Sequence, residues 1–309
     1  MPVLEKIEFQ LTTECNVRCL YCINGDGRKS KLMPEDIILE IMEYFRPNKV
    51  SFTGGEPLLC LETLLKCLKE AKRNGSQTQV NTNFELADKT IISSLADSGL
   101  EILHVTFDTL RPEVYAKLRK SKPENLAKVI GNITLAVLEK ISVIPEVTPT
   151  AYNVKEIGGI FDFVTLLGVK GLEVQRLILG GRANSDLLPL KEVLVEQIIE
   201  VAQKLDKTKP YLELWCFPAS DYPELFALGK NGVRYAPCDC GRKALWLGCD
   251  GSVYACNFFY EKKVANIFEP KTKSPVQNLK EIWENHPVFQ KIRQGCFGEK
   301  LCTFQQGGK

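Results

Sequence analysis

The sequence predicts an α/β fold: a parallel sheet of six strand-then-helix units, followed by a small cysteine-rich region. Three observations carry this expectation. From residue 5 to about 208, short β-branched runs alternate with longer amphipathic stretches, the pattern of parallel strands joined by right-handed crossovers. After about residue 209 the texture changes, with Pro210, Pro218, Pro223 and Pro237 interrupting and helical periodicity lapsing until 278–293. The cysteines cluster, three at 15–22 and six from Cys238 to Cys302.

Taken in order, the expected strands are 6–11, 49–53, 77–80, 102–107, 142–147 and 171–177, each rich in residues that favour a pleated, half-buried surface. Between them lies a helical pattern at 34–45, where Pro34 suits a first helical position and Ile37, Ile38 and Ile41 share a face. The segments 58–72, 86–98, 123–140, 154–167 and 191–207 repeat it. Six units are fewer than a closed barrel of this kind uses. Two domains are expected, 1–208 and a metal-stapled 209–309.

At 309 residues, with 44% hydrophobic and 25% charged residues, the chain has the composition of a globular protein. A net charge of +2 gives no reason to expect nucleic acid or a membrane as partner. The first residues, Met1-Pro-Val-Leu-Glu-Lys-Ile-Glu-Phe9, lack the basic head and apolar core of a signal peptide. No apolar run approaches the roughly 18 residues of a membrane span, so a cytoplasmic location is expected. In that compartment twelve cysteines point to metal rather than to disulfides. With only His104 and His286 available, the ligands must be mostly sulfur, which favours iron-sulfur or structural zinc.

The sharpest pattern is Cys15-Asn-Val-Arg-Cys19-Leu-Tyr-Cys22, on the loop that follows the first strand. Parallel α/β folds keep their active sites at that end of the strands. A four-iron cluster normally takes four thiolates, so three would leave one iron for an outside ligand; a structural metal also fits the triplet alone. The second strand ends in Thr53-Gly54-Gly55-Glu56-Pro57, where adjacent glycines permit close backbone approach.

Together, CxxxCxxC and GGEP resemble the radical S-adenosylmethionine superfamily over residues 5–208. The resemblance implies a partial (β/α)6 TIM-like barrel, with Cys15, Cys19 and Cys22 holding a 4Fe-4S cluster. It implies that S-adenosylmethionine chelates the fourth iron and is cleaved to a 5'-deoxyadenosyl radical, which takes hydrogen from a substrate. Tyr21 would then lie near the adenine, Gly54, Gly55, Glu56 and Pro57 would receive the methionyl amine, and Asp108 would meet the ribose. Asn81 and Asn83 after the third strand, and Gln175 and Arg176 on the sixth, are further candidates for contacting cofactor or substrate. The implied partners are a small-molecule or peptide substrate and a reductase such as flavodoxin or ferredoxin.

Cys60 and Cys67, seven apart in a leucine-rich helix, read as buried packing. The sequon at Asn132 has no secretory context, and Gly180-Gly181 reads as a turn before it reads as a phosphate cradle. Residues 240–256 read as a hairpin turning at Asp250-Gly251. Cys240, ten residues, Gly251, four residues and Cys256 is similar to the opening of the SPASM extension of these enzymes. Only Cys296 and Cys302 follow, which resembles the shorter twitch form. It implies one auxiliary 4Fe-4S cluster on Cys238 or Cys240 with Cys256, Cys296 and Cys302, structural zinc being the alternative. Cys249 is left over, as a packed thiol or as the hydrogen-atom donor of a radical epimerase. The leading expectation is an anaerobic oxidoreductase that modifies a small molecule or peptide; the alternatives are that epimerase and a non-catalytic iron-sulfur electron carrier.

Overall fold

The structure, a computed structural model, describes residues 2–25, 31–205, 210–218, 220–228, 232–235, 239–256 and 262–294. All six expected strands form: β1 Lys6–Gln10, β2 Lys49–Thr53, β3 Gln77–Thr82, β4 Ile102–Thr106, β5 Ser142–Val147 and β6 Gly171–Gln175. They pair in parallel and in chain order. The helices between them are α1 Glu35–Phe45, α2 Leu61–Arg73, α3 Lys89–Asp97, α4 Pro112–Arg119, α5 Asn125–Leu138, α6 Ile157–Leu166 and α7 Lys191–Lys204.

Two departures matter. Helix α4 was not expected, although Pro112 stands at its first turn and Val114, Tyr115 and Leu118 are buried on one face. The parallel sheet also has more than six strands, adding β7 Tyr211–Trp215, then a short helix α8 Pro223–Phe226, then β8 Val233–Tyr235. Pro210 stands directly before β7, so it punctuates a strand of the same sheet. Beyond it, β9 Ala244–Leu247 returns to pair in parallel with the free edge of β1. The expected hairpin follows, β9 turning antiparallel into β10 Ser252–Tyr254, which then pairs with β11 Ala265–Asn266. Gly251, at φ +79°, takes the left-handed turn position that a side chain would disfavour. Helices α9 Pro275–Asn285 and α10 Pro287–Arg293 close the described chain, α9 packing near α1 and its Trp283 Nε1 donating to the Pro2 carbonyl at 3.0 Å.

Side chains alternate along each strand, and here the alternation separates two chemistries. Ile7, Phe9, Val50, Phe52, Val80, Leu103, Val105, Leu172 and Val174 are fully buried in the apolar core formed with the helices. Lys6, Glu8, Gln79, Asn81, His104, Glu146, Glu173 and Gln175 have the opposite parity, so the inner face of the sheet is polar. Parallel strands usually carry near-continuous apolar runs because both faces are dry. These do not, because one face lines a cavity.

Asn132 is buried, and its amide donates to the carbonyls of Phe84 and Ala87 at 3.1 and 2.9 Å, so the sequon asparagine is a core bracket. Cys67 is wholly buried, whereas Cys60 ends the 3-10 turn before α2 and is half-buried. No helix among the described residues is long and apolar enough to cross a membrane. Burial pushes the Cys67 thiol up to about 12; at pH 8 it is therefore protonated as well as shielded. Iodoacetamide applied to the native protein at that pH should leave Cys67 unmodified while denatured protein is labelled there, as peptide mass spectrometry would report.

Candidate active site

Among the described residues the loop after β1 forms no helix or strand, and its shape comes from the neighbours that hold it. Amides of Arg18 and Leu20 donate to the carbonyls of Arg119 and Leu118 at the end of α4, at 3.0 and 2.8 Å. From the other side, the Arg182 side chain donates to the Cys19 carbonyl at 2.8 Å and its amide to the Cys22 carbonyl at 3.0 Å. Cys15 is exposed, Cys22 half-buried and Cys19 buried, and all three line one cavity of about 440 Å³ at the carboxyl ends of the strands.

Glycines make the close approaches possible. The amide of Gly55 donates to the Thr12 carbonyl and that of Glu56 to the Glu14 carbonyl, both at 2.7 Å. A Cβ on Gly55 would stand 1.9 Å from the Glu14 carbonyl oxygen, well inside any real contact. On the opposite side Gly181, in the left-handed region at φ +59°, lies so close that a Cβ would come within 2.5 Å of the carbonyls of Cys22 and Ile23. The turn expected at Gly180-Gly181 is present, closed by hydrogen bonds between Gly180 and Ala183. Its backbone presses on the cysteine loop.

Glu56 is fully buried. Its carboxylate accepts from Leu58 N at 3.0 Å, the Thr82 hydroxyl at 2.6 Å and Asn83 N at 2.8 Å. It thereby ties the loop after β2 to the end of β3. Gly54 and Gly55 line the cavity; Glu56 and the buried Pro57 are not among its lining residues. Asn83 donates to Asn16 at 2.8 Å with its amide 3.8 Å from the Cys15 sulfur, and Asn81 lines the cavity while accepting from Gln79 at 2.8 Å.

Behind the cysteines sits a charged network. Arg119, 2% exposed, donates to the Tyr21 hydroxyl at 2.8 Å and stands 3.5 Å from Asp108; the Tyr21 hydroxyl in turn donates to Asp108. The other Asp108 oxygen accepts from Thr148 N at 3.1 Å. Burial raises the Asp108 carboxyl despite the guanidinium. Tyr21 lines the cavity, and Asp108, 1% exposed, supports it from behind. Burial also pushes the Cys19 thiol up to about 11, with Arg119 acting in the opposite direction. Sequence reasoning missed Arg119 because it missed α4. The Pro112 start and the Val114, Tyr115, Leu118 stripe were the available signal.

Gln175 lines the cavity and Arg176 does not: adjacent strand residues face opposite ways, and Arg176 Nε donates instead to the Cys216 carbonyl at 2.6 Å. Cys249 lies in the hairpin turn, 3% exposed, its amide 3.4 Å from Gln10 Oε1, and is not among the lining residues. Cys240 is half-buried and Cys256 buried. Between them Gly241 packs where a Cβ would lie 3.3 Å from the Ala255 Cβ and 2.5 Å from the Ile292 side chain, so the two ends of the hairpin and α10 meet. Cys238, Cys296 and Cys302 lie outside the described residues.

The donor set suits an anionic iron-sulfur group. Cys15, Cys19 and Cys22 line one cavity, and Arg119, which also lines it, is a buried cation whose Nε and Nη2 have no hydrogen-bond partner among the described residues. A family model described as the Radical SAM superfamily matches residues 9–163. A "Probable GTP 3',8-cyclase" of Methanococcus aeolicus is 29% identical over 54% of this chain and 57% of its own, so the chain spans only about half of several such relatives. The "GTP 3',8-cyclase" of Nautilia profundicola is 25% identical over 90% of this chain and 88% of its own. Among solved structures, Streptococcus suis SuiB bound to S-adenosylmethionine superposes with a TM-score of 0.71 at 16% identity, over 95% of this chain and 68% of that one. AnSMEcpe with bound AdoMet gives 0.62 at 17% identity, over 91% and 77%. At these identities the two structures speak for the fold.

Two outcomes follow from the geometry. Gly55→Ala and Gly181→Ala should each cost about 1–3 kcal/mol through overlap with the loop carbonyls and lower the iron bound after anaerobic reconstitution; unchanged iron in both would refute the clamp. Arg119→Met should cost about 3–5 kcal/mol by stranding buried Asp108, and urea denaturation should show part of that loss recovered in the Arg119→Met, Asp108→Asn double variant.

Proposed function

The chain belongs to the radical S-adenosylmethionine superfamily, and from that premise we propose that it abstracts a hydrogen atom from a polar small molecule or peptide in an oxidative modification. The observation that carries this reading is the convergence of Cys15, Cys19, Cys22, Gly54, Gly55 and Arg119 on one cavity whose deeper wall is polar. When bound, the 4Fe-4S cluster and S-adenosylmethionine supply a 5'-deoxyadenosyl radical through one-electron cleavage of the sulfonium. Cys15, Cys19 and Cys22 supply the three thiolates. Gly54 and Gly55 leave room and backbone polar groups for the amino-acid end of the cofactor, and Glu56 holds that segment at the end of β3. Tyr21, fixed by Asp108 and Arg119, forms part of the wall for the nucleoside.

The substrate meets Glu8, Asn81, Glu146 and Gln175, which project from four different strands into the same space. Groups fixed on strands hold a substrate at a defined distance from the reacting centre, and that positioning is what the protein contributes. We assign the reducing electron to a protein donor such as flavodoxin or ferredoxin. The GTP cyclases that resemble this chain favour a place in cofactor biosynthesis; the fold likeness to SuiB and anSMEcpe is compatible with a peptide substrate. Cys249 stands off the cavity, and no step in this reading passes through it.

We further assign an auxiliary 4Fe-4S cluster to Cys240, or Cys238, with Cys256, Cys296 and Cys302. The support is that Gly241, Ala255 and Ile292 are packed together, so Cys240 and Cys256 flank one point against which α10 packs.

Anaerobically reconstituted, dithionite-reduced protein should release 5'-deoxyadenosine from S-adenosylmethionine, and Cys19→Ala should abolish the release; a wild-type protein that releases none would sink the proposal. Iron should number about eight per chain with both clusters and fall to about four in Cys256→Ala. A wild-type value of about four would remove the auxiliary cluster.

A further inference from the structure

Below the cysteine loop, the inner face of the sheet carries a second cluster of ligand atoms. His104 on β4, Glu146 on β5 and Glu173 on β6 lie on three adjacent parallel strands with the same parity, and their ligand atoms all fall within 4.8 Å of one another. The imidazole Nδ1 stands 2.6 Å from Glu146 Oε1 and 3.4 Å from Glu173 Oε2. A ring nitrogen carries at most one hydrogen. Glu146 takes it, and Glu173 Oε2, on a side chain 3% exposed, is left buried with no hydrogen-bond partner among the described residues.

The register makes this arrangement costly. Glu146 and Glu173 are direct cross-strand partners, and Glu173 is in turn the partner of Glu213 on β7, so three carboxylates stand in a row across three strands. Like charges directly opposite one another destabilise a sheet, and an unpaired buried carboxylate oxygen carries a desolvation cost. The basic groups on the same face are Lys6, 3.8 Å from Glu8, and Lys49 on β2. The charges of Glu173 and Glu213 reach Lys49 across this face, and Lys6 stands 5.7 Å from the Trp215 ring on β7, yet among the described residues neither lysine forms an ion pair with Glu146 or Glu173. A divalent cation would satisfy both carboxylates and the imidazole nitrogen together.

We propose that His104, Glu146 and Glu173 form a binding site for a first-row divalent cation inside the sheet, distinct from the cysteine sites. One imidazole and two carboxylates suit Mn²⁺, Fe²⁺ or Zn²⁺, and the absence of sulfur separates this site from the thiolate sites by ligand preference. Glu146 also lines the cavity above. A cation held by it is accessible from that cavity, where an oxygen or nitrogen of a bound substrate completes its coordination.

The test uses the anaerobically reconstituted holoprotein and needs no turnover, so it stands apart from whether 5'-deoxyadenosine is made. Mn²⁺ is the probe because it prefers oxygen and nitrogen over thiolate. Titration followed by the electron paramagnetic resonance signal of free Mn²⁺ should show one site per chain of micromolar affinity, weakened at least tenfold in His104→Ala and in Glu173→Gln. Glu173→Gln removes a like-charge contact and is expected to remain folded; Mn²⁺ should raise the melting temperature of the wild type and leave that of Glu173→Gln unchanged. Failure of the wild type to bind Mn²⁺ below millimolar concentration would overturn the proposal. So would equal affinity in Glu173→Gln, which would reduce the cluster to an imidazolium held between carboxylates.

Discussion

The site depends on one steric constraint: a cysteine-bearing loop without secondary structure is fixed because residues on both sides of it have no side chain. Gly55 lets the β2 loop reach the carbonyls of Thr12 and Glu14, and Gly181 lets the β6 loop reach those of Cys22 and Ile23. Neither approach tolerates a methyl group. The two glycines come from strands on opposite sides of the cavity, so the loop is gripped between them, and Glu56 and Arg182 then lock the grip with hydrogen bonds. The three sulfurs inherit their positions from backbone packing.

The rest of the architecture sorts polarity by strand parity. One parity builds the dry core with the helices, and the other gives the cavity its polar wall. Placing ionisable groups on that inner face is expensive, and the network of Tyr21, Asp108 and Arg119 shows how the cost is met: each buried charge has a partner of opposite sign or a donor aimed at it. Arg119 Nε and Nη2 remain buried with no hydrogen-bond partner among the described residues.

Much of this was legible in the sequence, for identifiable reasons. The strands were readable because Lys6-Ile-Glu-Phe-Gln10 and its counterparts alternate cleanly, and all six formed where expected. The cysteine triplet and Gly54-Gly55 were readable because spacing is local information, and the structure puts all five residues on one cavity. What depended on distant partners was not readable. Glu56 turns to Thr82 and Asn83, Asp108 to Tyr21, and Arg176 away from the site, each decided by elements far along the chain. Arg119 was hidden in a short helix with a modest apolar stripe, and β7 was masked by the proline that precedes it.

The return of β9 to the edge of β1 sets an order of events during synthesis. Lys6 pairs with Ala244, so the strand that launches the cysteine loop waits with one edge open until β9 has been made. Contacts of such long sequence separation form late, and an open edge is a template for wrong pairing. A ribosome-bound chain ending after β6 already holds Cys15, Cys19 and Cys22, yet lacks the strand that closes β1. Loading of iron is therefore best timed after β9 has paired with β1 and sealed the sheet from which the loop emerges.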